Sequence, residues 1–296
     1  MVWRKKPAIP ASSPNGGAVS GAMTSWRSRA GASFGGVAAT ALAWGWIEAG
    51  WLRFMRFEVP IPALEPKLAG LRIAHLSDFH LGLRSRGTAA VMSAVNWAAL
   101  RDPDLVLVTG DLLSRPRGEK LLRGLLDQLG DRCYVVLGNH DVEHSRDPFS
   151  RTVGLRDLAP ATLLVDESVT VDFHGRRVQL VGVDPRSYRQ RRARPWELVD
   201  ADADLRILLC HYPYILDTLP PGAFQLVLAG HMHDGQISLP LPGGKLRLAN
   251  PRARYSSGLY ERAGTWMHVS PGLGTTFVPF RFFARPEATE LVLQPA

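Results

Sequence analysis

The stretch Leu71–His80, which reads LRIAHLSDFH, decides how the chain is interpreted, because an apolar run ends there in an Asp-x-His pair. Five similar apolar runs follow it, at Leu105–Thr109, Tyr134–Leu137, Val178–Val183, Leu205–Cys210 and Leu226–Ala229. Amphipathic segments lie between some of the runs, at Thr88–Leu100 and Glu119–Leu129. Short apolar strands that alternate with helices predict an α/β fold whose strands are buried on both faces.

The last part of the chain has a different pattern. Beyond His233, glycine and proline interrupt the sequence at Pro240–Gly244, and short apolar runs follow at Leu246–Leu248, Met267–Val269 and Glu290–Leu293. This pattern predicts further strands joined by turns. We therefore expect a C-terminal half that is rich in β-structure.

Polar side chains follow the ends of five of the predicted strands. They are Asp78 and His80, Asp111 after Gly110, Asn139 and His140 after Gly138, His211, and His231 with His233 after Gly230. Ligand sites of α/β sheets lie at the carboxyl ends of the strands. We therefore expect these side chains to converge on one crevice.

The residue types in this set are those of a metal site. Aspartate, asparagine and histidine supply oxygen and nitrogen ligands that suit Mn, Fe, Zn or Mg. The i, i+2 spacing of Asp78 with His80, and of His231 with His233, allows both side chains of a pair to point the same way. The two cysteines, Cys133 and Cys210, lie inside apolar runs and are interpreted as structural, as are His75, His144, His174 and His268.

The ordered set Asp-x-His, Gly-Asp, Gly-Asn-His-Asp, His, Gly-His-x-His resembles the calcineurin-like metallophosphoesterase superfamily. Within it, the chain looks like the membrane-associated bacterial branch of phosphodiesterases, which includes enzymes acting on UDP-diacylglucosamine. The matching stretches are Leu71–Asp78, Gly230–Ile237, Ser257–Tyr260, Ser270–Gly274 and Ala284–Glu287. Asp234 stands where glycine is usual in that branch, and Pro185 where an acidic residue is common. The resemblance implies two mixed β-sheets packed face to face, with flanking helices.

The resemblance also implies a site with two divalent metal ions bridged by Asp111. One ion would be held by Asp78, His80 and His233, and the other by Asn139, His211 and His231. A hydroxide between the ions would attack the phosphorus of a phosphoester, with a phosphodiester favoured. We assign His140 to protonation of the leaving group, with positioning of the metal site as the alternative.

The N-terminal part of the chain predicts a membrane segment. Residues 1–53 hold six basic side chains and one acid, whereas the rest of the chain holds 29 basic and 26 acidic ones. The stretch Ala30–Ile47 carries no charge, and tryptophans cluster near its end. We predict a disordered basic leader at 1–29, a transmembrane anchor at 30–52, a connector at 53–70 and the catalytic domain at 71–296. A cleaved export signal, a buried core helix and a disordered leader are the alternatives for 30–52.

The charge bias around this segment favours a cytoplasmic N-terminus and a catalytic domain outside the cytoplasm. A membrane anchor would favour a lipid-linked phosphoester as substrate, because it raises the local concentration of such a molecule. UDP-diacylglucosamine, which is made in the cytoplasm, would require the opposite orientation.

Two other functions fit parts of the sequence. The first alternative is a nuclease acting on DNA or RNA, which would need a basic groove with aromatic side chains. The stretch Arg186–Arg194 holds five arginines and Tyr188. The same stretch could instead meet anionic lipid headgroups. The second alternative is a non-catalytic metal-binding scaffold at the membrane, although every expected ligand position is filled.

Overall fold

The structure, a computed structural model, describes residues 36–142, 144–242 and 244–296. The predicted basic leader and the first residues of the predicted membrane segment lie outside these ranges. Residues 36–48 form a helix, α1. Within the described ranges, no helix has both the length and the apolar character needed to cross a bilayer.

Two mixed sheets of six strands each organise the residues that follow. The first sheet has the order β1-β14-β2-β3-β4-β5. Its strands are β1 Arg53–Ile61, β2 Arg72–Leu76, β3 Leu105–Thr109, β4 Cys133–Val136, β5 Thr162–Leu163 and β14 Glu287–Pro295. Strands β2 to β5 run parallel, and β14 runs antiparallel to β2.

The second sheet has the order β12-β13-β9-β8-β7-β6. Its strands are β6 Glu167–Phe173, β7 Arg176–Val183, β8 Leu205–Cys210, β9 Leu226–Ala229, β12 Gly258–Arg262 and β13 Thr265–Val269. A separate two-stranded hairpin consists of β10 Ser238–Leu241 and β11 Gly244–Arg247. The β-rich C-terminal half predicted from the sequence is therefore confirmed.

The inner faces of the two sheets share one apolar core. Ile73 and Leu107 of the first sheet belong to the same buried cluster as Leu180 and Ile207 of the second. Helices α2 Gly87–Arg101 and α3 Glu119–Leu129 cover the outer face of the first sheet. The outer face of the second sheet is covered mainly by short 3-10 turns and by α4, Pro185–Arg189. The α/β class and the two packed sheets are as expected. Among the described residues, long helices cover the outer face of the first sheet but not that of the second.

The predicted connector at 53–70 is wrong for its first half. Arg53–Ile61 is strand β1, which pairs in parallel with β14 along its whole length. The prolines between Val59 and Pro66 predict an extended connector, because proline lacks an N–H donor and fixes its φ angle. An edge strand tolerates proline, since one of its sides has no partner that needs the missing N–H. The catalytic domain therefore includes residues that precede Leu71.

Candidate metal centre

The structure brings every predicted site residue to one edge of the two sheets. Asp78 and His80 follow β2, Asp111 follows β3, and Asn139 and His140 follow β4. In the second sheet, His211 follows β8, and His231 and His233 follow β9. Because these five strands are parallel within their sheets, their carboxyl ends meet at one place.

The ligand atoms form two groups that share Asp111. The first group is Asp78, His80, Asp111 and His233, and the second is Asp111, His211 and His231. Within each group the atoms that could bind an ion lie within 4.8 Å of one another. Asn139 joins the second group, since its Oδ1 lies 3.2 Å from Nε2 of His211. This division is the one that the resemblance implied.

The backbone adopts an unusual conformation at these residues. Asp78, His80, Asp111, His231 and His233 have φ angles of 54°, 48°, 53°, 73° and 50°. Residues other than glycine seldom occupy this left-handed region, and such strain concentrates at functional sites. The turns that follow the strands are therefore shaped to aim these side chains inward.

Two glycines allow the turns to approach one another. A Cβ atom at Gly138 would collide with the carboxyl group and the amide of Asp111. A Cβ atom at Gly230 would collide with Ser77 Oγ and with the carboxyl group of Asp78. Gly138 and Gly230 thus lie directly against the two buried carboxylates, where a residue with a Cβ atom would not fit.

The buried charges of the site favour a bound cation. Burial opposes ionisation of Asp111, but the nearby His211 and His140 hold its pKa well below the usual value. Burial likewise opposes protonation of His211, yet the charge of Asp111 raises its pKa to about 9. Burial, and then the charge of His211, lowers the pKa of His231 to about 3. Protonated His211 thus supplies the positive charge that stabilises buried Asp111, and a divalent ion would supply this charge in place of the proton. Neutral His231 has a lone pair available for the same ion.

Hydrogen bonds on the far side of the rings fix the orientation of two histidines. Nδ1 of His211 lies 2.7 Å from the carbonyl oxygen of Thr109, which can only accept. Nδ1 therefore carries a proton, and Nε2 is the atom that would bind an ion once its own proton is displaced. Nδ1 of His80 lies 2.9 Å from Ser114 Oγ in the same way.

His233 has a different partner. Nη2 of the fully buried Arg281 donates to Nδ1 of His233 over 3.2 Å. In neutral His233 the proton is then on Nε2, which faces Asp78 Oδ1 at 3.2 Å. A cation bound at Nε2 would replace this proton, and Arg281 would keep its bonds to the carbonyl groups of Pro271, Gly274 and Ala284.

Asp141, the last residue of the Gly-Asn-His-Asp motif, supports the site from behind. Its carboxyl group accepts hydrogen bonds from the backbone amides of Gly138, Leu112 and Leu113 at 2.8–3.1 Å. These contacts tie the turn after β4 to the turn that carries Asp111. Burial, and then the charge of Asp111, raises the pKa of Asp141 to about 7.

His140 lies beside the shared carboxylate, with Nε2 at 3.9 Å from Asp111 Oδ2. Its Nδ1 lies 2.8 Å from Ser150 Oγ, and that hydroxyl group donates to Asp147 over 3.3 Å. The chain of contacts places a proton on Nδ1 and directs Nε2 towards the site. Burial lowers the pKa of His140, although the charge of Asp111 acts in the opposite direction.

A cavity of about 580 Å³ opens from the site. Asp111, Asn139, His140, His231 and His233 lie at its base, and Arg146 and Arg189 contribute positive charge to its lining. Apolar side chains line another part of the cavity: Met232, Ile237, Leu248, Ala249, Phe277 and Val278. The cavity can thus hold a molecule with both anionic and apolar parts.

The arginine-rich stretch considered for nucleic acid binding is divided between several contacts. Arg186 pairs with Asp184 at 2.9 Å, and Arg189 lines the cavity. Tyr188, which a nuclease would use as a stacking platform, packs its ring on Tyr212 with the centroids 4.5 Å apart. One face of the Tyr188 ring is therefore packed inside the domain, while Tyr188 also lines a second cavity with Arg191, Arg194 and Trp196.

Sequence reasoning missed the residues that orient the ligands. Thr109, Ser114, Ser150, Asp147 and Arg281 are far from the motifs along the chain or are common residue types in ordinary positions. Only Asp141 had a signal, because it belongs to a motif. The others are recognised by their contacts in three dimensions.

The chain is similar to several known proteins. Residues 71–235 match the calcineurin-like phosphoesterase family. An uncharacterized metallophosphoesterase of Bacillus subtilis, YkoQ, is 28% identical over 76% of this chain and 84% of its own length. The phosphodiesterase YaeI of Escherichia coli is 25% identical over 83% of this chain and 90% of its own length. A transmembrane protein with a metallophosphoesterase domain from Danio rerio is 31% identical over 81% of this chain, which spans 56% of that protein.

The family match covers more than half of the chain and contains all the predicted ligands. Relatives that align over most of the chain are named as metallophosphoesterases or as a phosphodiesterase. The chain belongs to the calcineurin-like metallophosphoesterases, and it is a metal-dependent hydrolase of phosphoesters.

Proposed function

We propose that the protein hydrolyses a phosphodiester with the help of two divalent ions, one in each of the groups that share Asp111. The observation that carries the proposal is this shared, buried carboxylate between two sets of histidines. Two cations a few ångströms apart need a common carboxylate to offset their repulsion. When bound, such ions supply Lewis acidity and an activated water molecule.

The residues of the chain would hold and orient these ions and the substrate. Asp78, His80 and His233 serve one position, and Asn139, His211 and His231 serve the other. The hydrogen bonds of His211 to Thr109 and of His80 to Ser114 keep the ligand rings from turning. Preorganised ligands of this kind lower the cost of binding charge in the transition state.

His140 would donate a proton from Nε2 to the departing oxygen. This atom lies at the base of the cavity, and the contacts through Ser150 to Asp147 hold the ring in place. Burial lowers the pKa of His140 in the free protein. The negative charge of a bound phosphoester would raise that pKa and so favour the protonated form that a general acid needs.

The cavity favours an amphipathic, lipid-linked substrate. Arg146 and Arg189 offer charge to phosphate oxygens, whereas Leu248, Phe277 and Val278 offer apolar surface. A nucleotide linked to a lipid, such as UDP-diacylglucosamine, combines these two properties. Residues 30–52 would bring the domain to the membrane where such a molecule resides, and the Danio rerio relative is named as a transmembrane protein.

The test is hydrolysis by the purified full chain before and after chelation, with and without added Mn. The substrates should be bis-p-nitrophenyl phosphate, a phosphomonoester and a UDP-linked lipid. We expect chelation to abolish activity, Mn to restore it, and Asp111→Asn to lose at least about a hundredfold in turnover because both ion positions lose their shared charge.

Metal content gives the control for this experiment. Asp104→Asn, a change at a carboxylate outside the site that contacts Arg72, should keep both metal content and activity. Activity that survives thorough chelation would refute the proposal. Faster hydrolysis of the monoester than of either diester would refute the preference for diesters.

A further inference from the structure

The hairpin of β10 and β11 carries apolar side chains that the domain does not cover. Leu239 and Leu241 share one face of β10, because alternate residues of a strand point the same way. Leu246 of β11 lies directly opposite Leu239 in the register. The exposed fractions of these three side chains are 45%, 52% and 37%. We refer to Leu239, Leu241 and Leu246 as the leucine face.

The opposite face of the hairpin is attached to the metal centre. Lys245 and Arg247 alternate with Leu246 along β11, so they lie on the other face. Both bind the buried carboxyl group of Asp234, at 2.7 Å and 3.0 Å. Asp234 follows the ligand His233 in the chain. Because the basic face is held against the domain, the leucine face points away from it.

The apolar surface continues around the mouth of the cavity. Leu248, which follows β11, is exposed and lines the cavity together with Phe277 and Val278, which are also exposed. The hairpin contacts this neighbouring loop, since Nζ of Lys245 donates to the carbonyl oxygen of Phe283 over 2.7 Å. Leu248 lies on the same face as Leu246, because its N–H donates to the carbonyl oxygen of Ile237 over 3.0 Å and so continues the register of the hairpin. The leucine face therefore extends to the rim of the cavity.

The same surface meets the place where the N-terminal part of the chain enters the domain. The ring centroids of Trp46 and Phe280 lie 6.4 Å apart. Phe280 belongs to the loop that carries Phe277 and Val278. Trp46 stands near the end of the uncharged stretch Ala30–Ile47. Exposed tryptophans are typical of residues at the level of lipid headgroups, where one side of the ring is apolar and the other is wet.

We propose that the leucine face, with the rim of the cavity, docks the catalytic domain on a lipid bilayer. A second copy of the chain fits less well, because a stable interface buries about 800 Å² on each partner. Three leucines on a narrow ribbon offer much less area than that. A ribbon with an apolar outer face and basic residues on its inner face can instead insert its tips among headgroups. This contact is separate from the N-terminal segment, and it places the mouth of the cavity at the membrane surface.

The experiment uses the full chain with one environment-sensitive label. Leu241→Cys and, as a matched control, Leu100→Cys are labelled with a nitrobenzoxadiazole fluorophore. Cys133 and Cys210 are buried and will not compete for the label. Leu100 is 78% exposed and stands at the end of α2, near the amino ends of the strands and opposite the metal centre. Both proteins are mixed with vesicles of phosphatidylcholine and phosphatidylglycerol that contain a lipid with a nitroxide near its headgroup.

We expect the label at 241 to shift its emission to shorter wavelength and to be quenched by the nitroxide lipid, with neither change at 100. Equal responses at both positions, or none at 241, would overturn the proposal. A shift at 241 without lipid, together with disulfide-linked dimers through the unlabelled cysteine, would also overturn it and identify a second copy as the partner. Hydrolysis of bis-p-nitrophenyl phosphate, measured in parallel, should be unchanged by the substitution at 241. If the unmodified protein did not hydrolyse this substrate, the result would count against the proposed function and not against the docking surface.

Discussion

At the scale of single residues, the ligand side chains could be predicted from the sequence, whereas the residues that orient them by hydrogen bonds could not. Asp111 and His231 stand directly after apolar runs, so the pattern of the chain places them at strand ends. Arg281 and Asp147 carry no such signal. Their importance comes from buried hydrogen bonds to His233 and, through Ser150, to His140. Contacts between residues far apart in the chain depend on the completed fold.

The first residue-scale prediction concerns His140. His140→Ala should keep the metal content and reduce turnover by roughly 10²–10⁴-fold on a diester with an alkyl leaving group, the range usual for a general acid. The loss should be smaller with p-nitrophenol, which departs without a proton. Turnover and bound metal are measured for both substrates. An equal loss with both leaving groups would assign His140 to positioning of the phosphate instead.

Asp234 gives the second residue-scale prediction. This carboxyl group holds Lys245 and Arg247, which explains why aspartate can stand where the related branch has glycine. Asp234→Gly suits the left-handed backbone at this position, where φ is 48°, so the effect should come from the lost charge. We expect amide exchange in β10 and β11 to speed up by roughly tenfold, because two partly exposed ion pairs are worth up to about 1 kcal/mol each.

Exchange in strand β9 serves as the control for that measurement, since it precedes the site and does not contact the hairpin through Asp234. Asp234→Asn should have an intermediate effect, because it keeps the hydrogen-bond acceptor and loses the charge. Unchanged exchange in the hairpin of both variants would show that Asp234 does not hold it.

At the scale of elements, the buried strands could be predicted from their apolar runs, and the edge strands could not. Strands β3, β8 and β9 have the bounds expected from the sequence. In β6, Glu167–Phe173, no residue is fully buried, and the strand lies at the edge of its sheet. Edge strands such as β1 and β6 show weak hydrophobic patterns, so their pairing depends on the neighbouring strand.

A pair of histidines joins the two sheets and gives a prediction at this scale. His75 of β2 and His268 of β13 are fully buried, with their Nδ1 atoms 2.7 Å apart. Burial lowers the pKa of His268 to about 3, and burial followed by the charge of His268 lowers that of His75. An unfolded histidine titrates near pH 6.5, so the unfolded chain takes up these protons first as the pH falls. The neutral histidine pair therefore makes its full contribution to the free energy of unfolding above about pH 6.5, and this contribution is lost progressively towards pH 3.

The expected result is a free energy of unfolding that decreases between pH 6.5 and pH 5, with a smaller slope in His268→Gln. Each proton taken up only by the unfolded chain contributes about 1.4 kcal/mol per pH unit well below its unfolded pKa. Urea unfolding in the presence of a chelator keeps metal release from adding to the slope. Identical slopes for the variant and the unmodified protein would contradict the role of this pair.

At the scale of the whole molecule, the order of the motifs predicted a metallophosphoesterase, because five strand endings with ligand residues are hard to explain otherwise. The boundary of the domain was harder to predict. The partner of β1 is β14, at the other end of the chain, and the pairing of Arg53 with the buried Glu287 is visible only in the fold. A sequence window around residues 53–61 contains no trace of that partner.

The membrane segment and this boundary can be tested together with three lengths of chain. The full chain should sediment with membranes and resist a high-salt wash, since its uncharged N-terminal stretch would be held by apolar burial that salt does not weaken. A shortened chain that begins at Ala43 keeps the compact unit formed by residues 43–296. It should be released by washing, because the leucine face alone gives reversible binding, and it should still hydrolyse bis-p-nitrophenyl phosphate.

A chain that begins at Pro60 loses most of β1 and leaves the buried Glu287 without Arg53, so its melting temperature should be lower. Full chain recovered in the soluble fraction at its complete mass would contradict the membrane segment, and equal melting temperatures of the two shortened chains would contradict the role of β1.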